Sequence, residues 1–240
     1  MKMRPLLLAT ATTLSAFGAH AGSINALNAL SQSDFRLLSE DLGAAVSYKP
    51  LVPAESLGII GFDVGVGLGA TKLQSTNVLN QASGGSIDLS TLPFAMVRAH
   101  KGLPMNIDVG VALGTLPGTG VSTKGAELRW AFLPGGMVTP AVAVRGAYSS
   151  MSGVSQLDVS TTSLDVSISK GFLFLKPYAG VGIVQVKSTP NGVASLQAES
   201  FTQPKTFVGL NMNFMLLNVA VEGDKTGSNT SYGIKLGVRF

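Results

Sequence analysis

Apolar and polar residues alternate with a period of two along much of this chain, most regularly over the closing decapeptide Ser231 to Phe240. In an extended strand Tyr232, Ile234, Leu236, Val238 and Phe240 share one face, and Ser231, Gly233, Lys235, Gly237 and Arg239 share the other. The same pattern recurs upstream. Phe62, Val64, Val66 and Leu68 oppose Asp63, Gly65, Gly67 and Gly69; Ile107, Val109, Val111 and Leu113 oppose Asn106, Asp108, Gly110 and Ala112. Ala126, Leu128, Trp130 and Phe132 alternate with Glu127, Arg129 and Ala131; Val142, Val144 and Tyr148 oppose Ala143, Arg145 and Ala147; Leu164, Val166 and Ile168 oppose Asp165, Ser167 and Ser169. With further strands at Leu92 to His100, Lys176 to Lys187, Lys205 to Met215 and Asn218 to Asp224, the region 57–240 reads as ten strands, with twelve as the alternative count.

The stretch before it, 22–56, follows a different period. Phe35, Leu38, Leu42 and Ala45 recur at helical spacing and Ser31 followed by Asp34 fits a capping box, which predicts a short amphipathic helix ended by Pro50 and Pro53. Leu42 to Tyr48 also scores as a strand, so both readings stand at this point. Between strands, longer polar connections at Leu73 to Ser90, Thr115 to Lys124, Ser149 to Asp158, Ser188 to Ser200 and around Lys225 alternate with tighter ones at Lys101 to Pro104, Leu133 to Thr139, Gly171 to Phe174 and Leu216.

Composition decides what the apolar face meets. The chain is 45% hydrophobic but only 12% charged, about half the ~25% usual for a soluble domain. A secreted sandwich would need a charged exterior, whereas the polar faces here are mostly Gly, Ala, Ser and Asn. After residue 21 no apolar run approaches the ~20 residues of a spanning helix. Alternating segments of about ten residues therefore predict an all-β, transmembrane antiparallel up-and-down barrel, closed so that no edge amide is left bare in lipid. Met1 to Arg4, the apolar run Pro5 to Phe17 and Ala19-His20-Ala21 fit a secretory signal peptide over 1–21. The net charge of +4 includes Lys2 and Arg4 of that leader, and no basic stripe interleaved with aromatics points to nucleic acid.

The alternating Tyr232–Phe240 segment ending on Phe resembles the terminal strand of Gram-negative outer-membrane β-barrels. That resemblance implies a cell outer-membrane address, contact with outer-membrane lipids, and recognition of Tyr232, Ile234, Leu236, Val238 and Phe240 by the barrel assembly machinery. Even strand number in such barrels favours ten, with the N-terminal segment outside the wall. Phe62, Trp130, Phe132, Phe172, Phe174, Tyr178, Phe214 and Phe240 are then expected at the periplasmic rim, and Phe94, Tyr148 and Tyr232 at the outer rim.

The same register turns Asp63, Asn106, Asp108, Glu127, Arg129, Arg145, Asp165, Asn211, Asn213, Glu222, Lys235 and Arg239 toward the lumen. Charges of both signs can neutralise one another as a filling network. Inward glycines such as Gly67, Gly110, Gly209 and Gly233 leave space for water, a ligand or the N-terminal segment. A segment retained before the first wall strand resembles the arrangement of plugged barrels, including the long-chain fatty acid transporter family, and implies passage of small solutes, apolar ones among them. The alternative is a non-conducting structural or adhesive protein acting through loops such as Asn77 to Ser90 and Ser188 to Ser200. Candidate chemistry changes little. The GVGLGATK run from Gly65 to Lys72 fits neither nucleotide-binding glycine template. With no Cys there is no thiolate metal site or disulfide, and no cofactor is expected. His100 is expected at the membrane interface with a structural role, so enzyme activity is not expected.

Overall fold

The computed structural model describes residues 23–136 and 138–240; the proposed leader over 1–21 lies outside them. Ten strands form one closed antiparallel barrel: β1 (Phe62–Lys72), β2 (Thr91–Leu103), β3 (Ile107–Leu116), β4 (Val121–Pro134), β5 (Ala141–Ser152), β6 (Leu157–Ser169), β7 (Leu175–Pro190), β8 (Glu199–Phe214), β9 (Leu217–Thr226) and β10 (Asn229–Arg239). Each strand pairs with its neighbours in sequence, and β1 pairs with β10 to shut the ring, Asp63 opposite Arg239 and Lys72 opposite Thr230. Closure leaves no strand edge exposed. The short connections β2–β3, β4–β5, β6–β7 and β8–β9 lie at the end that holds Phe62 and Phe240, which assigns that end to the periplasm.

Outside, the side chains expected to meet lipid do face out. Val64, Val66 and Leu68 of β1, Val109, Val111 and Leu113 of β3, Leu164, Val166 and Ile168 of β6 and Ile234, Leu236 and Val238 of β10 are all substantially exposed, in a continuous apolar belt. Aromatic rings close its periplasmic edge: Phe62 stacks on Phe240 with centroids 5.9 Å apart, Phe174 meets Phe214 at 5.3 Å, and Trp130 meets Phe132 edge-on. Tyr148 and Tyr232 mark the opposite edge, half or more exposed. Phe94 and Tyr178 depart from expectation. Both are buried inside the barrel, because their strands place Val97 and Val181 outward and the alternation puts these two rings on the inner face.

Above the belt the strands continue, and their polarity changes sides. On β6 the buried, inward residues are Asp165, Ser167 and Ser169 at the periplasmic end but Leu157 and Val159 at the extracellular end; the outward ones change from Leu164, Val166 and Ile168 to Asp158, Ser160 and Thr162. β7 does the same, with Val181 and Ile183 outward below and Val184 and Val186 inward above. Once a strand leaves lipid its outer face meets water, so its apolar side must turn in. The inversion makes the wall longer than its apolar alternation suggests: β7 runs to Pro190 and β8 starts at Glu199, where a connection from Ser188 to Ser200 was expected.

The N-terminal segment fills the space that results. Helix α1 (Gln32–Val46) begins at Ser31, whose hydroxyl accepts from the Asp34 amide at 3.2 Å while Asp34 reaches back to Ser31, the expected capping box. It packs Phe35, Leu38, Leu42 and Val46 against Val184, Val186, Phe201, Leu116 and Val121 inside the extracellular half. The strand reading of Leu42 to Tyr48 is not realised, since a closed ring offers no free edge to join. A second helix, α2 (Thr76–Ala82), replaces part of the expected polar connection, with Leu79 and Ala82 buried on the same core. Asp41 of α1 joins the two layers, accepting from the Gln74 and Ser75 amides and from Asn229 Nδ2 at 2.7–3.1 Å. Among the described residues no helix is long and apolar enough to cross a membrane.

Candidate functional site

From Ser47 the chain leaves α1 extended and descends the lumen at belt level to Glu55, where it reaches the periplasmic mouth and turns into β1. Proline at 50 and 53 removes two backbone donors from this descent, but the remaining amides and carbonyls still need partners in a space that holds little water. The wall supplies them from its inward charges. Lys205 Nζ donates to the Tyr48 carbonyl at 2.5 Å, Arg98 to the Lys49 carbonyl at 2.9 Å, and Arg129 to the Pro53 carbonyl at 2.6 Å. In return Glu222 accepts from the Leu51 amide at 2.9 Å and Asp108 from the Leu57 amide at 3.0 Å. Lys49 itself is buried; its ammonium bonds Asp224 at 3.1 Å, Ser231 Oγ at 2.8 Å and the Ala44 carbonyl at 3.0 Å.

The other inward charges meet one another. Arg145 holds Asp165 at 2.7 Å and lies 3.6 Å from Glu127; Arg129 holds Asp108 at 2.7 Å; Lys235 holds Asp63 at 2.5 Å, with Arg239 3.6 Å from the same carboxylate. Each of these side chains is almost wholly enclosed. A buried charge left alone is costly, so this mutual arrangement is what makes so polar an interior tolerable. Asn211 and Asn218 exchange amide bonds at 3.0 and 3.2 Å near the periplasmic end, and Asn213, half-buried, accepts from Asn218 at 2.5 Å. Asn106 does not belong to the lumen. It sits exposed in the turn before β3 with φ of 58°, because the chain needs a left-handed residue there before the strand can start.

Several groups in the network carry no strong mark in the sequence. His100 is buried in the lumen instead of at the interface: its Nε2 lies 3.2 Å from Glu127, 3.3 Å from the Tyr48 hydroxyl and 3.2 Å from Arg98. The signal was available, since Val97 and Ala99 on the outer face force Arg98 and His100 inward. Tyr178 donates to Glu222 at 2.8 Å. Lys205 and Asp224 share the parity of Asn211 and Glu222 on their strands, but their contacts with Tyr48 and Lys49, and those of Lys49 itself with Asp224 and Ser231, join residues more than a hundred positions apart. The inward glycines receive neighbouring side chains. A Cβ on Gly209 would stand 2.2 Å from the Tyr178 ring, and one on Gly110 2.2 Å from the His100 ring. Gly67 and Gly233 face Leu51 of the descending segment.

Two open spaces flank this network. One of about 470 Å³ lies at the periplasmic mouth, bounded by Glu55, Lys176, Asn213, Arg239 and Phe240, where Lys176 pairs with Glu55. The other, about 30 Å³ beside Tyr48, Phe94 and Gly125, has room for about one water. Among the described residues no three His, Asp or Glu side chains gather as a metal site.

A closed ten-stranded ring with an apolar outer belt, aromatic edges and a polar, internally compensated lumen is a transmembrane β-barrel of the outer-membrane type. No known family model matches the sequence. No characterised protein matches it by sequence either. Some solved structures are similar to it. The N-terminal barrel domain of Pseudomonas aeruginosa OprF is 14% identical, with a TM-score of 0.39, over 73% of this chain and 97% of that domain. The KdgM porin in complex with oligogalacturonate is 8% identical with a TM-score of 0.37, over 75% and 99% of the two chains. Ail, the attachment invasion locus protein of Yersinia pestis, is 12% identical with a TM-score of 0.31, over 75% and 97%.

Proposed function

We propose that this chain is an outer-membrane barrel held shut at rest by its own N-terminal segment, and that it works at the cell surface through its extracellular crown without conducting solutes. One observation carries the reading: the charges of the wall are spent on the backbone of residues 48–57 and on one another, leaving no row of free charged groups along a passage among the described residues. The crown is a packed body, in which α1, α2 and the upper ends of β2 to β8 enclose a common apolar core. Such a body presents a fixed surface to the outside. His100 is enclosed by Tyr48, Arg98 and Glu127, which supports a positioning role there and not chemistry on an external substrate. The strand from Tyr232 to Phe240 serves in the same reading as the segment recognised by the assembly machinery.

Planar-bilayer recording tests the closed state. The full chain is expected to be silent, and a variant lacking residues 23–54 to conduct; steady conductance by the full chain would sink the proposal. Because the deletion removes much of the crown core, Arg98→Ala combined with Lys205→Ala provides a folded counterpart, expected to open intermittently.

A second reading is gated passage of a small solute, as in plugged transporters. The periplasmic space of about 470 Å³ favours it, as does the fact that much of the hold on the segment from Ser47 to Glu55 comes from polar contacts, the ion pairs of Lys49 with Asp224 and of Glu55 with Lys176 among them. Solute uptake into liposomes by the intact chain, despite electrical silence, would select this reading over the first.

A further inference from the structure

The outer face just above the belt carries charge that no protein group answers. Thr71, Asp224 and Ser231 point inward and are buried, so Lys72 of β1, Lys225 of β9 and Thr230 of β10 point outward, and all but the half-buried Thr230 are exposed. Thr230 lies directly opposite both lysines, Lys72 on one side and Lys225 on the other. The two ammonium groups therefore leave the wall two strand spacings apart, about 10 Å. One step toward the periplasm on the same three strands are Ala70, Tyr232 and Gly223, again mutually opposite. The Tyr232 ring stands between two small residues, and the ring carbons approach to 3.6 Å of where a Gly223 side chain would begin. A recess with an aromatic wall thus lies at the top of the belt, with a cation on each side above it.

Its surroundings say what it faces. The recess is continuous with the lipid belt through Ile234 and Val221. None of the ion pairs among the described residues involves Lys72 or Lys225. At the periplasmic end of the belt the outward Lys101 is instead turned onto the carbonyls of Ile59 and Gly61, at 2.6 and 3.1 Å. Among the described residues, then, Lys72 and Lys225 stand without an ion-pair partner on the extracellular side, while Lys101 on the other is bonded. Cations at a membrane surface draw anionic headgroups, and ammonium groups are good phosphate ligands.

We propose that Lys72 and Lys225, with Thr230 between them, hold the phosphate of an anionic lipid headgroup in the extracellular leaflet, its first acyl carbons lying against Tyr232 in the recess. The inference rests on the transmembrane reading above and extends it to one lipid class at one sector of the wall. Lys124 on β4 and Lys187 on β7 also face outward and exposed, in register with each other but three strand spacings apart, so that no single residue lies opposite both. They make a comparator of equal charge.

The full chain is reconstituted in nanodiscs, insertion being read from emission of the sole tryptophan, Trp130, in the belt. Retention of bisphosphorylated lipid A is then measured by native mass spectrometry. Lys72→Gln with Lys225→Gln is expected to weaken retention about tenfold or more, while Lys124→Gln with Lys187→Gln leaves it within about twofold. Lipid A stripped of phosphate is expected to be retained as weakly by the parent as by the first variant. Equal losses in the two double variants, or equal retention of the dephosphorylated lipid, would overturn the seat while leaving the barrel intact. Failure of Trp130 to enter the bilayer would instead overturn the transmembrane reading itself.

Discussion

Arg145 stands on β5 with its guanidinium against Asp165 and close to Glu127, and none of the three retains contact with water. Replacing it by methionine strands a buried carboxylate and is expected to cost about 3–5 kcal/mol of stability. Arg145→Met combined with Asp165→Leu removes that pair and leaves only Glu127 short of a partner, so part of the loss should return; urea unfolding followed by gel mobility measures the difference between the single and double variants. The inward direction of Arg145 and Asp165 was readable from Val144 and Val166, their outward neighbours. That they meet was not, because pairing across strands depends on register, and register is set by contacts the alternation does not encode. Asn106 shows the opposite failure. It continues the alternation of β3 by one residue, yet the turn that precedes the strand needs it in a left-handed conformation and points it to solvent.

At the scale of the element, the strands were legible wherever one face met lipid. They became illegible where that face met water. On β6 the apolar side passes from Ile168, Val166 and Leu164 outside to Val159 and Leu157 inside, so a reading that follows one face loses the strand at the crossover and assigns the remainder to a loop. Helix α1 was legible for another reason: its capping box and its apolar spacing are local, owing nothing to the barrel around it. Ser31→Ala removes the acceptor for the Asp34 amide and should weaken the first turn by about 1 kcal/mol. Hydrogen exchange measures it, with faster exchange expected in residues 32–36 and unchanged protection in the β1–β10 ladder. α2 carried no such marks, being seven residues without a side-chain cap, and was missed.

For the whole molecule, strand number and closure followed from alternation and parity, but the contents of the lumen did not. Space left by inward glycines was compatible with water, ligand or peptide, and only the positions of Leu51, Tyr178 and His100 show that protein side chains occupy it. The chain has no cysteine, so an engineered disulfide has no competitor. A Cβ on Gly43 of α1 would lie 3.2 Å from the Cβ of Val186 on β7, near the ~3.5–4.5 Å that a disulfide spans. Gly43→Cys with Val186→Cys should therefore fasten the helix to the wall. Added to the Arg98→Ala and Lys205→Ala variant, it is expected to abolish intermittent openings in bilayer recordings until a reductant is supplied; openings that persist under oxidising conditions would place the leak elsewhere than past the segment.

The first and last strands meet at a single ladder, with Phe62 and Phe240 bonded amide to carbonyl at its foot. From Phe35 to Ala54 the chain runs inside the ring which that ladder completes, entering at the extracellular rim and leaving at the opposite one. A helix with its side chains is about 10–12 Å across, so feeding it through a finished cylinder of ten strands would mean unravelling it first. Zipping the final pair of strands around a helix already in place requires no such passage. Biogenesis thus has a preferred order: the amino-terminal portion is captured early, and the hoop is fastened last.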